Sequence, residues 1–217
     1  YLVSADWPHR PKGFVTEPPY PVGGGKWGRW CYEEIPNNLV LAYDSIVNSG
    51  ELERLSQETG SDVRKAIEDD FFRGAIRQDA FHGPRYTNAS PVTYQGYSLV
   101  GRVLGDPGLV HEAVRRCRGL FERQFFFDGF WSEGAIGYHQ YTVLDLDHVI
   151  SSLQGYSDQP GYIDPIDGTR FDDLDLQREL PILDRARTLH HEFRYPDGRG
   201  LPVHDSGAIF TVFKNDI

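Results

Sequence analysis

Apolar residues recur at helical spacing over most of the chain. After Pro36, the residues Leu39, Tyr43, Ile46 and Val47 fall on one stripe, and Gly50 follows as a stop, so a helix is predicted there. A second helix is predicted from Ser61, a natural N-cap, with Val63, Ile67, Phe71 and Phe72 turned inward. Leu99, Val100, Val103 and Leu104 mark a third, after Pro91 and before Gly105-Asp-Pro107. The fourth opens at Asp106 with Pro107 in its first turn, and carries Leu109, Val110, Ala113, Val114, Cys117, Leu120 and Phe121. A fifth runs from Tyr138 to Leu153, with Leu146, Val149, Ile150 and Leu153 on one side. A sixth covers Asp172 to His191; its acidic start and its His190-His191 end suit the helix dipole, and Pro181 should break or kink it.

Helical patterning is absent at both ends. Residues 1–36 hold Pro8, Pro11, Pro18, Pro19, Pro21 and Gly23-Gly-Gly25, which predict an extended arm. From Phe193 to Val203 the pattern is that of a β-hairpin with Asp197-Gly198 in the turn. The apolar run from Gly207 to Ile217 reads as a strand, and a chain stopping there is expected to be cut from a longer one. Several helices with alternating short and long connections predict an all-α array of helical hairpins over residues 37–192, with a short β-hairpin or strand region over residues 193–217. Three long loops, over residues 79–91, 125–137 and 155–171, are rich in aromatics, glycine and charge, and are the natural places to look for chemistry.

Charge narrows the partners. With 32 acidic against 22 basic residues, the net charge is −10. A phosphate-binding surface would leave an excess of Lys and Arg, so nucleic acid is a poor fit. The same balance opposes an acidic polysaccharide unless basic residues are focused in a cleft. No apolar run approaches the ~18 residues of a membrane span. Tyr1 begins the chain and no basic-then-apolar leader follows, so a signal peptide is absent or already removed. Cys31 and Cys117 could form one bridge or stay as thiols; Cys117 lies on an apolar helix face, which favours an inert buried thiol. There is no P-loop, no dinucleotide glycine fingerprint and no zinc-type cysteine pair.

The most informative window runs from Asp128-Gly-Phe-Trp-Ser-Glu-Gly through Tyr138-His139-Gln-Tyr141. It leaves one helix, turns at Asp128-Gly129 and enters the next near Tyr138, where Tyr138, Tyr141 and Thr142 display hydroxyls on one face. Periodicity alone reads these aromatics equally well as core residues with a hydroxyl at the rim. The pattern Asp128-Gly…Glu133-Gly…Tyr138-His139…Tyr141 resembles a segment of the heparinase II/III family, which includes related alginate lyases. Three further stretches resemble that family in the same order: Lys26-Trp27 with Ala42-Tyr43-Asp44; Tyr86-Thr-Asn-Ala-Ser90 followed by Gly101-Arg-Val-Leu-Gly-Asp-Pro-Gly108; and Asp197-Gly…Leu201-Pro…Asp205-Ser206.

The resemblance implies a partial (α/α) toroid and β-elimination at a uronic acid of an acidic polysaccharide; a secreted or periplasmic location is expected, and no cofactor and no metal ligand is assigned in this chain. It gives Asn88 to the substrate carboxylate and makes Tyr138 the group that takes the C5 proton and protonates the leaving oxygen. Removing a proton beside a carboxylate adds charge to an anion, so hydrogen bonds or cations must neutralise that carboxylate. A phenol with its ordinary pKa of about 10 is a poor base unless positive charge lies near, and His82, Arg77 and Arg85 are the local candidates. Ala89 follows Asn88 where many relatives carry histidine, which leaves the second carboxylate partner open among His139, His204 and residues beyond the chain. His139 faces about 100° away from Tyr138 on a helix, which suits packing better. His204 precedes Asp205, which could orient its imidazole. Trp131, Tyr141 and Glu133 complete the candidate substrate contacts.

Two rival readings use the same residues. Glu133 with Asp128 or Asp145 could serve a glycoside hydrolase, against a loop-bracing role for Glu133. A non-catalytic carbohydrate-binding helical domain could use Trp27, Trp30, Tyr94, Tyr97, Phe130 and Trp131 to line a groove, against a core role for most of them. His190-His191 with His204 and Asp205 could ligate a metal, although adjacent helical histidines diverge by about 100°. Asp172-Asp-Leu-Asp175 is most simply a charged helix start.

Overall fold

The computed structural model describes residues 35–206, of which 61% are helical with almost no strand. The chain is therefore all-α over the described residues. The arm at 1–34, with Trp27, Trp30 and Cys31, and the apolar run at 207–217 lie outside them. The helices are α1 (Asn37–Ile46), α2 (Glu51–Thr59), α3 (Val63–Lys65), α4 (Arg73–His82), α5 (Ser90–Leu104), α6 (Pro107–Gln124), α7 (Ile136–Leu153), α8 (Leu176–Glu179) and α9 (Ile182–Leu189). A π-helical stretch, Ala66–Phe72, joins α3 to α4, and a 3₁₀ turn, His190–Glu192, ends α9. No described helix is long and apolar enough to cross a membrane.

The described residues fall into two compact units. One comprises residues 35–85 with Thr93–Ala113; the other comprises Tyr86–Val92 with residues 114–206. In the first unit, α1 buries Val40 and Tyr43 while Ile46 is exposed, so the buried stripe is narrower than predicted. The N-cap of the next predicted helix is Asp62 rather than Ser61: its carboxylate accepts the Lys65 N–H at 2.9 Å. The π stretch that follows turns both Phe71 and Phe72 inward, and Phe72 meets the Tyr43 ring edge-on at 5.4 Å. Between α5 and α6 the chain reverses within Gly105-Asp106, with the Asp106 N–H donating to the Gly101 carbonyl at 2.7 Å. Gly101 is needed there, because a Cβ would come within 2.9 Å of Val110. Arg73 fixes this turn through its ion pair with Asp106 at 2.6 Å.

In the second unit, α7 packs against α8, α9 and the 3₁₀ turn. Pro181 separates α8 from α9, as its missing N–H and ring sterics require. The loop over residues 154–175 is closed by its own bonds and by an ion pair to α6. Asp158 accepts the Phe171 N–H at 2.7 Å, Arg170 donates to the Gln159 carbonyl at 2.8 Å, and Arg115 pairs with Asp164 at 3.1 Å. The predicted hairpin is present as a turn with one bridge, Arg194 to Gly200, and Gly198 at φ 85°. Cys117 on α6 is fully buried, and burial pushes its thiol well above the ordinary range. In a Cys31→Ser background, Cys117 should resist a thiol reagent in the native protein and react only as fast as the chain unfolds. Native-state labelling at the rate of a free thiol would contradict that burial.

Candidate active site

The window from Phe125 to Tyr141 folds as a tight turn feeding a long helix. Phe125 and Trp131 form an antiparallel bridge, the Phe126 N–H donates to the Phe130 carbonyl at 2.8 Å, and Asp128 accepts the Phe130 N–H at 3.0 Å. Gly129 closes the turn at φ 90°, where its missing Cβ would lie 3.2 Å from the Ala186 backbone nitrogen. Glycine is required on both counts. The chain then enters α7 at Ile136 and brings Tyr138 to its first turn.

His139 and Tyr138 part company at this point. His139 is fully buried: Nδ1 accepts the Trp131 N–H at 3.2 Å, and Nε2 lies 2.8 Å from the Ala186 carbonyl. A carbonyl can only accept, so Nε2 carries the hydrogen and the ring is the neutral tautomer. Burial holds its pKa below the ordinary histidine value, against the raising effects of the Ala186 hydrogen bond and Asp128. The ring stacks on Phe130 at 4.9 Å, and Phe130 stacks on Phe193 at 4.8 Å. His139 is thus a clamp inside the core.

Tyr138 is half-buried, and its hydroxyl donates to the Asp205 carboxylate at 3.1 Å. Asp205 reaches it because the segment after the hairpin is tied to the start of α7. Phe193, Leu201 and Val203 pack on Phe130, Ile136 and Leu189, and the Gly137 N–H donates to Ser206 Oγ at 3.3 Å. His204, in a left-handed conformation at φ 50°, sits over Gly134: a Cβ on that glycine would be 2.7 Å from His204 Nε2. The phenol and the carboxylate therefore meet beside the first turn of α7, and the His204 imidazole lies over Gly134, two residues before that helix. Asp205 enters this group as the partner of Tyr138, a pairing the sequence does not signal because the two residues are 67 apart; only its proximity to His204 is legible.

Asn88 occupies a turn anchored to α6. The Tyr86 ring lies against Gly119, where a Cβ would approach to 2.8 Å, and under the Arg123 guanidinium at 4.8 Å. The Thr87 N–H donates to Ser90 Oγ at 2.9 Å, and the Ser90 N–H returns to the Thr87 carbonyl at 3.0 Å. This leaves the half-buried Asn88 at the bend.

Several predicted contacts have other occupations. The expectation that Trp131 offers a face to a sugar is corrected: the residue is 1% exposed, and its indole N–H donates to Glu133 at 2.6 Å. Glu133 braces that loop, as the bland alternative expected. Tyr94 and Tyr97 are also core residues, and the Tyr97 hydroxyl donates to buried Asp79 at 2.8 Å. Arg85 pairs with the same Asp79 at 2.9 Å, and Arg77 donates to the Asp69 carbonyl at 2.9 Å. His82 is the last residue of α4. These three, Arg77, Arg85 and His82, belong to the first unit, whereas Asn88, Tyr138, Tyr141 and His204 belong to the second. Tyr141 is exposed on α7. Among the described residues, His190, His191, His204 and Asp205 do not bring three ligand atoms together.

No protein-family model, curated protein or solved structure matches the chain.

Proposed function

We propose that the protein is a polysaccharide lyase that cleaves a uronate-containing chain by β-elimination on a helical toroid. The observation that carries the reading is the half-buried Tyr138 hydroxyl held by Asp205 at 3.1 Å, with His204 next in the chain. Elimination needs one group that takes the C5 proton and one that returns a proton to the departing glycosidic oxygen. A phenol can do both in turn, provided its own proton has somewhere to go. Asp205 is that acceptor. As the phenol oxygen takes the C5 proton, its original proton passes to the carboxylate; the C5–H electrons form the C4–C5 double bond and the C4–O bond breaks. The phenol then protonates the leaving oxygen, and Asp205 returns the proton it held.

His204 and the Asn88 amide are the donors suited to the sugar carboxylate, whose negative charge increases in the transition state. The hydrolase alternative has less support, because Glu133 is engaged with the Trp131 indole. The deciding experiment incubates the protein with alginate, heparan sulfate, hyaluronan and neutral cellulose oligosaccharides, and follows the ultraviolet absorbance of the unsaturated uronate. Absorbance should rise with at least one acidic polymer and with no neutral one. New reducing ends without absorbance would establish hydrolysis and overturn the proposal.

A further inference from the structure

Glycine inside an α-helix is disfavoured relative to alanine, because it costs more backbone entropy to order. Gly119 nevertheless lies within the 18-residue α6, and no left-handed φ accounts for it. The Tyr86 ring does: a Cβ at position 119 would lie 2.8 Å from its Cε1 and 2.9 Å from its hydroxyl oxygen. Arg123 is one helical turn further on, and helical side chains lean back over the preceding turn. Its guanidinium accordingly rests on the Tyr86 ring, 4.8 Å from the centroid. Arg123 is exposed and has no carboxylate partner among the described residues, so the ring is its contact. A missing side chain and a cation one turn apart thus form a slot on α6 that fits one aromatic ring.

We propose that Tyr86, Gly119 and Arg123 are positioning residues that fix the Asn88 amide; the step from that amide to substrate rests on the lyase reading. All four residues belong to the second unit. One residue separates Tyr86 from Asn88, and the bend between Thr87 and Ser90 is closed by bonds of 2.9 and 3.0 Å. With its aromatic end locked on α6, so short a turn leaves Asn88 little freedom. Local exceptions to helix propensity fall at functional or strained sites in a consistent fold, and Gly119 is such an exception. The three residues act through Asn88 and not on the sugar.

Amide hydrogen exchange and turnover are measured on the same variants. Gly119→Ala raises the helix propensity of α6 and expels the ring. The Thr87 and Ser90 amides should then exchange faster than in the native protein, as in Tyr86→Ala, while Tyr86→Phe keeps the ring and the native rate. A misplacement of about 1 Å can cost about 10²-fold, so elimination at limiting substrate should fall by about 10–10²-fold in Gly119→Ala. Arg123→Ala should lose about two- to fivefold, the worth of an exposed cation–π contact, with Arg123→Lys between it and the native protein. In an Asn88→Ala background, Gly119→Ala should slow turnover no further, since nothing is left to place. Native exchange in Gly119→Ala, or a loss that adds in full to that of Asn88→Ala, overturns the proposal. Should Gly119→Ala fail to fold, Tyr86→Ala replaces it in both measurements. Faster exchange in a protein that gives no ultraviolet product from any acidic polymer retains the anchor and removes the lyase.

Discussion

Replacing Tyr138 with Phe should abolish elimination while leaving the fold in place. The substitution deletes one oxygen from a half-buried ring whose hydroxyl reaches the surface carboxylate of Asp205. Losing a hydrogen bond of this kind costs about 1 kcal/mol, or roughly 2–4 °C in melting temperature for a chain of this size. Turnover is affected far more, because in the proposed mechanism the same oxygen serves as base and acid. Positioned acid–base groups contribute about 10²–10⁴-fold, so a loss of about 10³-fold or more is expected in the rate of ultraviolet product. Asp205→Asn separates the roles further. The amide oxygen still accepts the phenol's hydrogen bond, but an amide cannot hold the displaced proton, so activity should fall by about 10–10²-fold with substrate affinity nearly native. If Tyr138→Phe keeps turnover within tenfold of the native protein, the phenol is not the proton carrier.

How far such a site is legible in sequence depends on the signal each residue leaves locally. Helix α6 is marked at its start by Asp106-Pro107 and by an apolar stripe through Leu120, and it is found almost to the residue. Helix α2 leaves no such trace. Its nine residues are mostly charged or polar and bury only Leu52, and its ends are left-handed glycines, Gly50 and Gly60. A stop at Gly50 is readable; that a helix begins immediately after it is not. The π stretch is equally silent, since adjacent Phe71 and Phe72 look like any apolar pair until a wider turn lets both face inward. Aromatic residues mislead for a different reason. Trp131 carries the composition of a sugar platform, yet the bridge to Phe125 and the hydrogen bond to Glu133 put its ring inside. The Tyr138–Asp205 pair spans 67 residues and depends on a hairpin docking through Phe193, Leu201 and Val203. Nothing in either local sequence announces that contact.

The largest stability effect should come from the residue beside Tyr138. His139→Ala removes the partner of both the Trp131 N–H and the Ala186 carbonyl, and empties the space between Phe130 and Phe125. Two stranded backbone groups and a cavity together predict a loss of about 3–5 kcal/mol, measured as a lower denaturant midpoint. His139→Gln keeps a donor of similar reach for Ala186 and should lose less. Protonation gives an independent check. Burial depresses the folded-state pKa of His139 below its unfolded value of about 6.5. Between the two, the unfolded chain binds the proton that the folded chain refuses, so stability rises with pH across that window. The contribution is complete above about pH 6.5, declines as pH falls towards the depressed folded value, and is flat below it. Subtracting the His139→Gln profile from the native one should isolate this slope, because the other histidines are common to both. Identical profiles would place a charged, solvent-reached imidazole where the structure has a neutral clamp. Helical geometry explains why neighbours behave so differently: a rotation of about 100° per residue turns one side chain into the core and the next towards Asp205. The rigidity supplied by His139 holds the first turn of α7, and with it the backbone that aims the phenol.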